Sequence, residues 1–384
     1  MAKRKEGHRG AKNNQKTDGK RVKLITAAIA AVAVVAAVIC FVFVKKDNSN
    51  NNDSIQNDTS LSADEQETSE EETVVKDEHP NEQRSRITGK WIDKSTADNV
   101  PVAVMFSNVK AAMPQSSISE ADIVFESLVE GGITRLCCVF ENKPQLDKIG
   151  PVRSCRTYYL LFAKEFEAGY VHFGYSEYAE QYLKQDKFHS LDGMVYCDFY
   201  RTSDRKAPHN AYTSWSGIMQ SYNAKGYPAQ YSQDYNAPFT FNTDDSNDIT
   251  IQNGQACNKF YPGYPYNKPY FEYNAATKEY LRFQFDGPQV DQLNGQQLSY
   301  KNILVKYVEP AYYPNGTPNY KISGTGKGIF ITDGKAVNVT WKKDSETESP
   351  TKYYYEDGTE VVLNQGKTFI CQVETSQGVS ILEQ

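Results

Sequence analysis

The sequence predicts an α+β ectodomain of two parts, a helix-covered mixed sheet followed by a β-rich domain, carried behind one N-terminal transmembrane helix. Three observations predict it. Strand-like and helix-like segments alternate between Trp91 and Gly226. Beyond Asp248 strands dominate, separated by Asp-Gly turns between alternating apolar residues. Leu24 to Val44 is a run of 21 residues without a charge. A length of 384 residues accommodates both domains and the segments around them.

The apolar run, LITAAIAAVAVVAAVICFVFV, spans roughly 30 Å as a helix at about 1.5 Å per residue. A cleaved signal peptide has a shorter apolar core and a small-residue cleavage site, whereas this run continues to Lys45-Lys46. Lipid attachment at Cys40 needs a small residue before it, and Ile39 stands there. Nine Lys/Arg against Glu6 and Asp18 make residues 1–23 a basic tail, which the positive-inside rule places in the cytoplasm. The bulk then lies outside a single-pass anchor at the cell membrane. From Leu24 onward 33 basic and 46 acidic residues leave a net charge of -13, which argues against a nucleic-acid-binding ectodomain. Residues 45–84 are rich in Asn, Ser, Thr, Asp and Glu and predict a disordered acidic linker.

Residues 85–226 form the first predicted domain. Pro101 to Phe106 reads as a buried strand. IVFESLVE and ITRLCCVF read as a hairpin about Gly131-Gly132, because glycine supplies the positive φ of a two-residue turn. That register opposes Glu126 to Cys137 and Leu128 to Arg135, and gathers Glu126, Glu130 and Arg135 on one face. After Gly150-Pro151, the spacing of Tyr158, Leu161, Phe162 and Phe166 predicts a helix that begins near Arg153. Tyr170 to Phe173 reads as a strand, Ser176 caps a helix through Gln185, and Ser214 starts a helix that Gly226 ends. Residues 227–248 are a Tyr/Asn/Pro-rich connector, and residues 249–384 form the β-rich domain, with hairpins at Asp333-Gly334 and Asp357-Gly358.

The run VPVAVMFSNVKAAMPQSSISEADIVFESLVEGGITRLCCVF, followed by GPVRSCR, YVHFG, the LDG at Leu191 and RKAPHN at Arg205 to Asn210, resembles the YerB-like proteins, a family of unknown function. GKGIFITDGKAVNVTW and the later Asn364-Gln365-Gly366 resemble the C-terminal domain of that family, so the likeness covers about Ser85 to Glu383. The resemblance implies a two-domain envelope protein of bacteria, Gram-positive by the family's habit. Many relatives look like lipoproteins, and this chain departs from them at Ile39. No reaction comes with the family, so function rests on the residues.

Arg153 and Arg156 stand three apart at the predicted helix start, where guanidinium forks and free N–H groups suit a phosphate or carboxylate. Such an anion exists at a cell wall in teichoic acid and in the stem peptides of peptidoglycan; an envelope protein partner or scaffold role is the companion expectation. Internal pairing of the arginines with Glu126 and Glu130 is the alternative. A second cluster lies in loop-like sequence at Asp192, Arg201, Asp204, Arg205, His209 and Asn210, with Arg135 and His172 as further binding candidates. The rival class is a cell-wall polymer hydrolase or transferase using Glu126 or Glu130 with His209. Cys155 between two arginines is a third, thiol-based candidate. Seven cysteines at irregular spacing, without a CxxC pair, predict neither a disulfide frame nor a metal site, and no cofactor is expected.

Overall fold

A computed structural model describes residues 78–196 and 198–383. The basic tail, the transmembrane run and the linker through residue 77 lie outside the described residues, as does Cys197. Among the described residues no helix is long and apolar enough to cross a membrane. Glu82–Arg84, at the end of the expected linker, pairs antiparallel with Trp91–Asp93.

In the first half the strands are β1 (Val102–Ser107), β2 (Ile123–Leu128), β3 (Thr134–Phe140), β4 (Gly169–His172) and β5 (Ser190–Asp192). The helices are α1 (Thr157–Lys164), the single turn α2 (Glu180–Leu183) and α3 (Trp215–Ala224). The second half contributes β6 (Lys259–Tyr261), β7 (Tyr270–Asn274), β8 (Glu279–Gln284), β9 (Asn302–Val308), β10 (Gly324–Thr332), β11 (Lys335–Lys343), β12 (Thr368–Glu374) and β13 (Ser380–Leu382).

One mixed sheet of eleven strands runs through both halves. From one edge its path is Gln255–Ala256, β11, β10, β9, β12, β2, β3, β1, β4 and β5, with Lys352–Tyr354 beside β11. The join is β12, which lies parallel to β9 on one side and parallel to β2 on the other. Every residue of β1, β2, β3 and β12 is buried, as expected of central strands covered on both faces. One face carries Val124, Leu128, Leu136 and Cys138 and packs on a second sheet through Phe260, Phe271, Tyr280 and Tyr300. The opposite face carries Phe125, Val129, Cys137 and Val139 and packs on α1 through Tyr158, Tyr159, Leu161 and Phe162. At about 1.5–3 kcal/mol for each large apolar side chain, these two layers dominate the stability of the body.

Three local expectations are corrected. The hairpin turn holds three residues, Glu130, Gly131 and Gly132, with the Val129 N–H donating to Ile133 O at 2.8 Å. Leu128 therefore opposes Thr134 and Glu126 opposes Leu136. A one-residue slip exchanges the faces of a strand, so Glu126 and Arg135 lie on opposite sides of the sheet. The helix after Gly150-Pro151 begins only at Thr157, because Arg156 is extended at φ -127°, ψ 151° and the Arg153 N–H is committed to Met105 O. Arg153 and Arg156 thus belong to a strand-like segment rather than to one helix face. Ser176 makes no side-chain cap, and the helical turns after it end at Leu183. Ser214 does cap α3, accepting from the Gly217 N–H at 3.1 Å, and Asp333-Gly334 forms a two-residue hairpin with both φ values positive.

Candidate functional site

The arginines gather at the carboxyl end of β1, on the α1 face. Register sets the first contact: Ser107 ends β1 directly opposite Arg135 of β3. Buried Arg135 donates to Ser154 O at 2.6 Å. The segment 151–156 crosses this end of the sheet, with the Ser107 N–H on Pro151 O. It brings Arg153 and Arg156 beside Arg135. Arg156 grips Glu130 with both forks, Nε to Oε1 at 2.6 Å and Nη2 to Oε2 at 2.7 Å. Burial opposes the charge on Glu130, but Arg156 outweighs it and holds the carboxyl down at about 2. Glu130 is therefore an ion-pair partner and no proton donor near neutral pH.

Arg153 is different. Its Nη1 reaches only Pro208 O, at 3.3 Å, and among the described residues no carboxylate lies within ion-pair distance. Burial first, then the charges of Arg156 and Arg201, push its pKa down. Arg135 is pushed down to about 10, by burial and then by Arg156 and Arg153. His209, on the same loop as Pro208, contacts the Ser107 hydroxyl through Nδ1 at 3.0 Å. Burial and then Arg153 and Arg135 lower its pKa below the ordinary histidine range, so the ring is neutral at neutral pH. Ser107 escaped the sequence reading; its signal was a hydroxyl at the carboxyl end of a buried apolar run.

The remaining candidates are placed apart or engaged elsewhere. Arg205 donates from both terminal nitrogens to Ala112 O and Pro114 O, each at 2.6 Å, which latches its loop. Asn210 accepts from Arg201 at 2.8 Å and donates to Thr202 O at 2.7 Å, closing the same loop across a short hairpin. His172 is fully buried, with Nδ1 on Gly174 O and Nε2 on the Ser190 hydroxyl. Burial lowers its pKa although Asp192 lies 4.0 Å away. Asp192 accepts from the N–H groups of Gly174 and Met194. Cys155 is corrected as a thiolate candidate, since burial pushes its thiol up to about 12 despite the neighbouring arginines. Cys137, Cys138, Cys155, Cys257 and Cys371 are all buried and unpaired.

Glu126 belongs to the other face. Its Oε2 accepts from Arg282 at 2.8 Å, and both side chains are wholly inaccessible. Oε1 accepts from Asn108, Thr134 and Asn267 at 2.7–3.0 Å. Arg282 also donates to Gln289 and lies under Phe369, 4.5 Å from the ring centroid. This network ties β2 to β8, and it removes Glu126 from any site shared with His209. The strand β8 alternates, with Tyr280, Arg282 and Gln284 inward, so a charge at an inward position of YLRFQ was the available signal.

Residues 87–228 match the family model described as the N-terminal domain of a protein of unknown function, DUF3048, and residues 261–370 match its C-terminal domain. The chain is similar to "Putative lipoprotein YerB" of Bacillus subtilis, 29% identical over 307 residues that cover 78% of this chain and 88% of that protein. The crystal structure of YerB from Bacillus subtilis superimposes with a TM-score of 0.67 at 26% identity, covering 76% of this chain and 96% of that one. Two matched domains in order, joined by the same fold, lead to one conclusion: the chain belongs to the YerB-like, DUF3048 family.

Proposed function

We propose that the protein is a membrane-anchored, extracytoplasmic binding protein of the bacterial envelope that recognises an anionic group at Arg153, flanked by Arg135, Arg156 and His209. The observation that carries this reading is the charge imbalance of the cluster. Arg135, Arg153 and Arg156 lie within electrostatic reach of one another, whereas only Arg156 and Arg135 act on the carboxylate of Glu130, and Arg156 engages both of its oxygens. Bringing like charges together at the edge of a core costs free energy, and an anion that accepts from Arg153 offsets that cost. The chemistry fits the phosphates of teichoic acid or the carboxylates of peptidoglycan stem peptides, and equally an acidic loop of an envelope protein. Anchoring by Leu24 to Val44 with the body outside is supported by the uncharged run and by the basic residues before it. The lipoprotein name of the Bacillus subtilis relative agrees with attachment to a membrane surface, by different means.

A thermal-shift titration with teichoic-acid fragments, muropeptides and inorganic phosphate tests the reading. Saturable stabilisation that follows RT ln(1 + [L]/Kd) is expected for at least one of them. Arg153→Ala should weaken that binding by about tenfold or more, as loss of a charged hydrogen bond implies. Absence of a shift with all three ligands, or an undiminished shift in Arg153→Ala, would remove the anion site.

A further inference from the structure

We infer that Ser107 and His209 form a nucleophile–base couple for group transfer at an anionic phosphodiester, an inference that rests on the anion-site reading above. The argument begins with placement. Ser107 is the last residue of a fully buried strand, and its hydroxyl lies 3.0 Å from Nδ1 of His209, within reach for direct proton transfer. His209 comes from a loop that is latched at both ends of its turn, by Arg205 on Ala112 O and Pro114 O and by Asn210 on Thr202 O. These latches fix the backbone on either side of His209, whose partly buried ring meets the hydroxyl.

The charged groups acting on the ring are Arg135 from β3 and Arg153 from the crossing segment, and Ser107 meets it from β1. A neutral ring can accept a proton, which an imidazolium cannot. The same two arginines disfavour a positive charge on His209 and favour a negative charge nearby. This arrangement suits an acceptor that is anionic before reaction and whose charge is redistributed over oxygens in the transition state, which describes a phosphodiester better than a neutral ester.

In the proposed step the Ser107 Oγ attacks phosphorus. The Oγ proton passes to Nδ1 of His209 as the Oγ–P bond forms, and the bond from phosphorus to the leaving alcohol oxygen breaks in line on the far side, where that oxygen takes a proton from water. Water or a second hydroxyl then attacks phosphorus in line from the far side and loses its proton to solvent, while the P–Oγ bond breaks and the His209 imidazolium returns its proton to Oγ, restoring Ser107.

A fluorophosphonate probe tests the couple on the full chain in detergent, because its reaction forms the same Oγ–P bond with loss of fluoride. Intact mass and peptide mapping should show a single adduct on Ser107, absent in Ser107→Ala. His209→Gln keeps a hydrogen-bond acceptor for the hydroxyl but takes no proton, so the labelling rate should fall about 100-fold or more with an unchanged melting temperature. The wild-type rate should rise with pH along one titration lying below the ordinary histidine range and then level off. No adduct on Ser107, or an equal rate in His209→Gln, overturns the couple. Stabilisation by inorganic phosphate without an adduct would sink the nucleophile and leave the anion site standing, whereas an adduct without phosphate stabilisation would sink the phosphodiester assignment.

Discussion

Glu126 and Arg282 meet at 2.8 Å between the two sheets with neither side chain accessible, whereas Glu130 and Arg156 meet at 2.6 Å near the surface beside Arg135 and Arg153. Their carboxylates sit on the same hairpin, four residues apart in sequence, yet the two pairs differ in charge balance. In the first, one carboxylate faces one guanidinium and every remaining contact of Glu126 is a neutral donor. In the second, positive charge is in excess. A closed balance holds two sheets together, and an open one is suited to a ligand.

The largest effect expected from this contrast is at Arg282. Arg282→Ala leaves Glu126 buried without its counter-charge and should cost about 3–5 kcal/mol in denaturant unfolding. Glu126→Leu combined with Arg282→Met should cost less than the single change, because no charge is then stranded. Equal losses in the single and double variants would mean that the pair matters only as packing.

A smaller effect concerns acid. Folding depresses the Glu130 pKa from its ordinary 4.5 to about 2. The stability it contributes is present above pH 4.5 and is lost as pH falls through 2, since the unfolded chain binds the proton first. With the carboxylate partly open to solvent, the contribution is on the order of 0.5–1 kcal/mol. Glu130→Gln should flatten the stability profile over that window, and an unchanged slope would assign it to other carboxylates.

The smallest effect expected is at Arg153. Arg153→Ala should change stability by no more than about 0.5 kcal/mol, with a slight gain at low salt as repulsion from Arg156 and Arg201 is relieved. A loss as large as that of Arg282→Ala would make Arg153 a structural residue and end the contrast between the two regions.

Much of the architecture was legible in periodicity. The strand at Val102, the helix capped by Ser214 and the turn at Asp333-Gly334 each carry a local signature that tertiary contacts merely accept. The hairpin at Gly131-Gly132 was legible as a hairpin, but its register was not. A pair of glycines permits a turn of two residues or a turn that includes Glu130, and the choice depends on which side chains the flanking layers bury. That one-residue difference separated Glu126 from Arg135 and the arginines beside it.

By itself the sequence determined the identities of the charged residues, the alternation that makes Arg282 an inward residue of β8, and the resemblance of both halves to one family. Only the tertiary structure decided that Glu126 finds Arg282 from 156 positions away, and that His209 finds Ser107 across 102. The physical reason is the same in both cases. Local propensity acts over a few residues, whereas the pairing of a buried charge or a hydroxyl is fixed by register and layer packing, which bring together segments that carry no mark of one another.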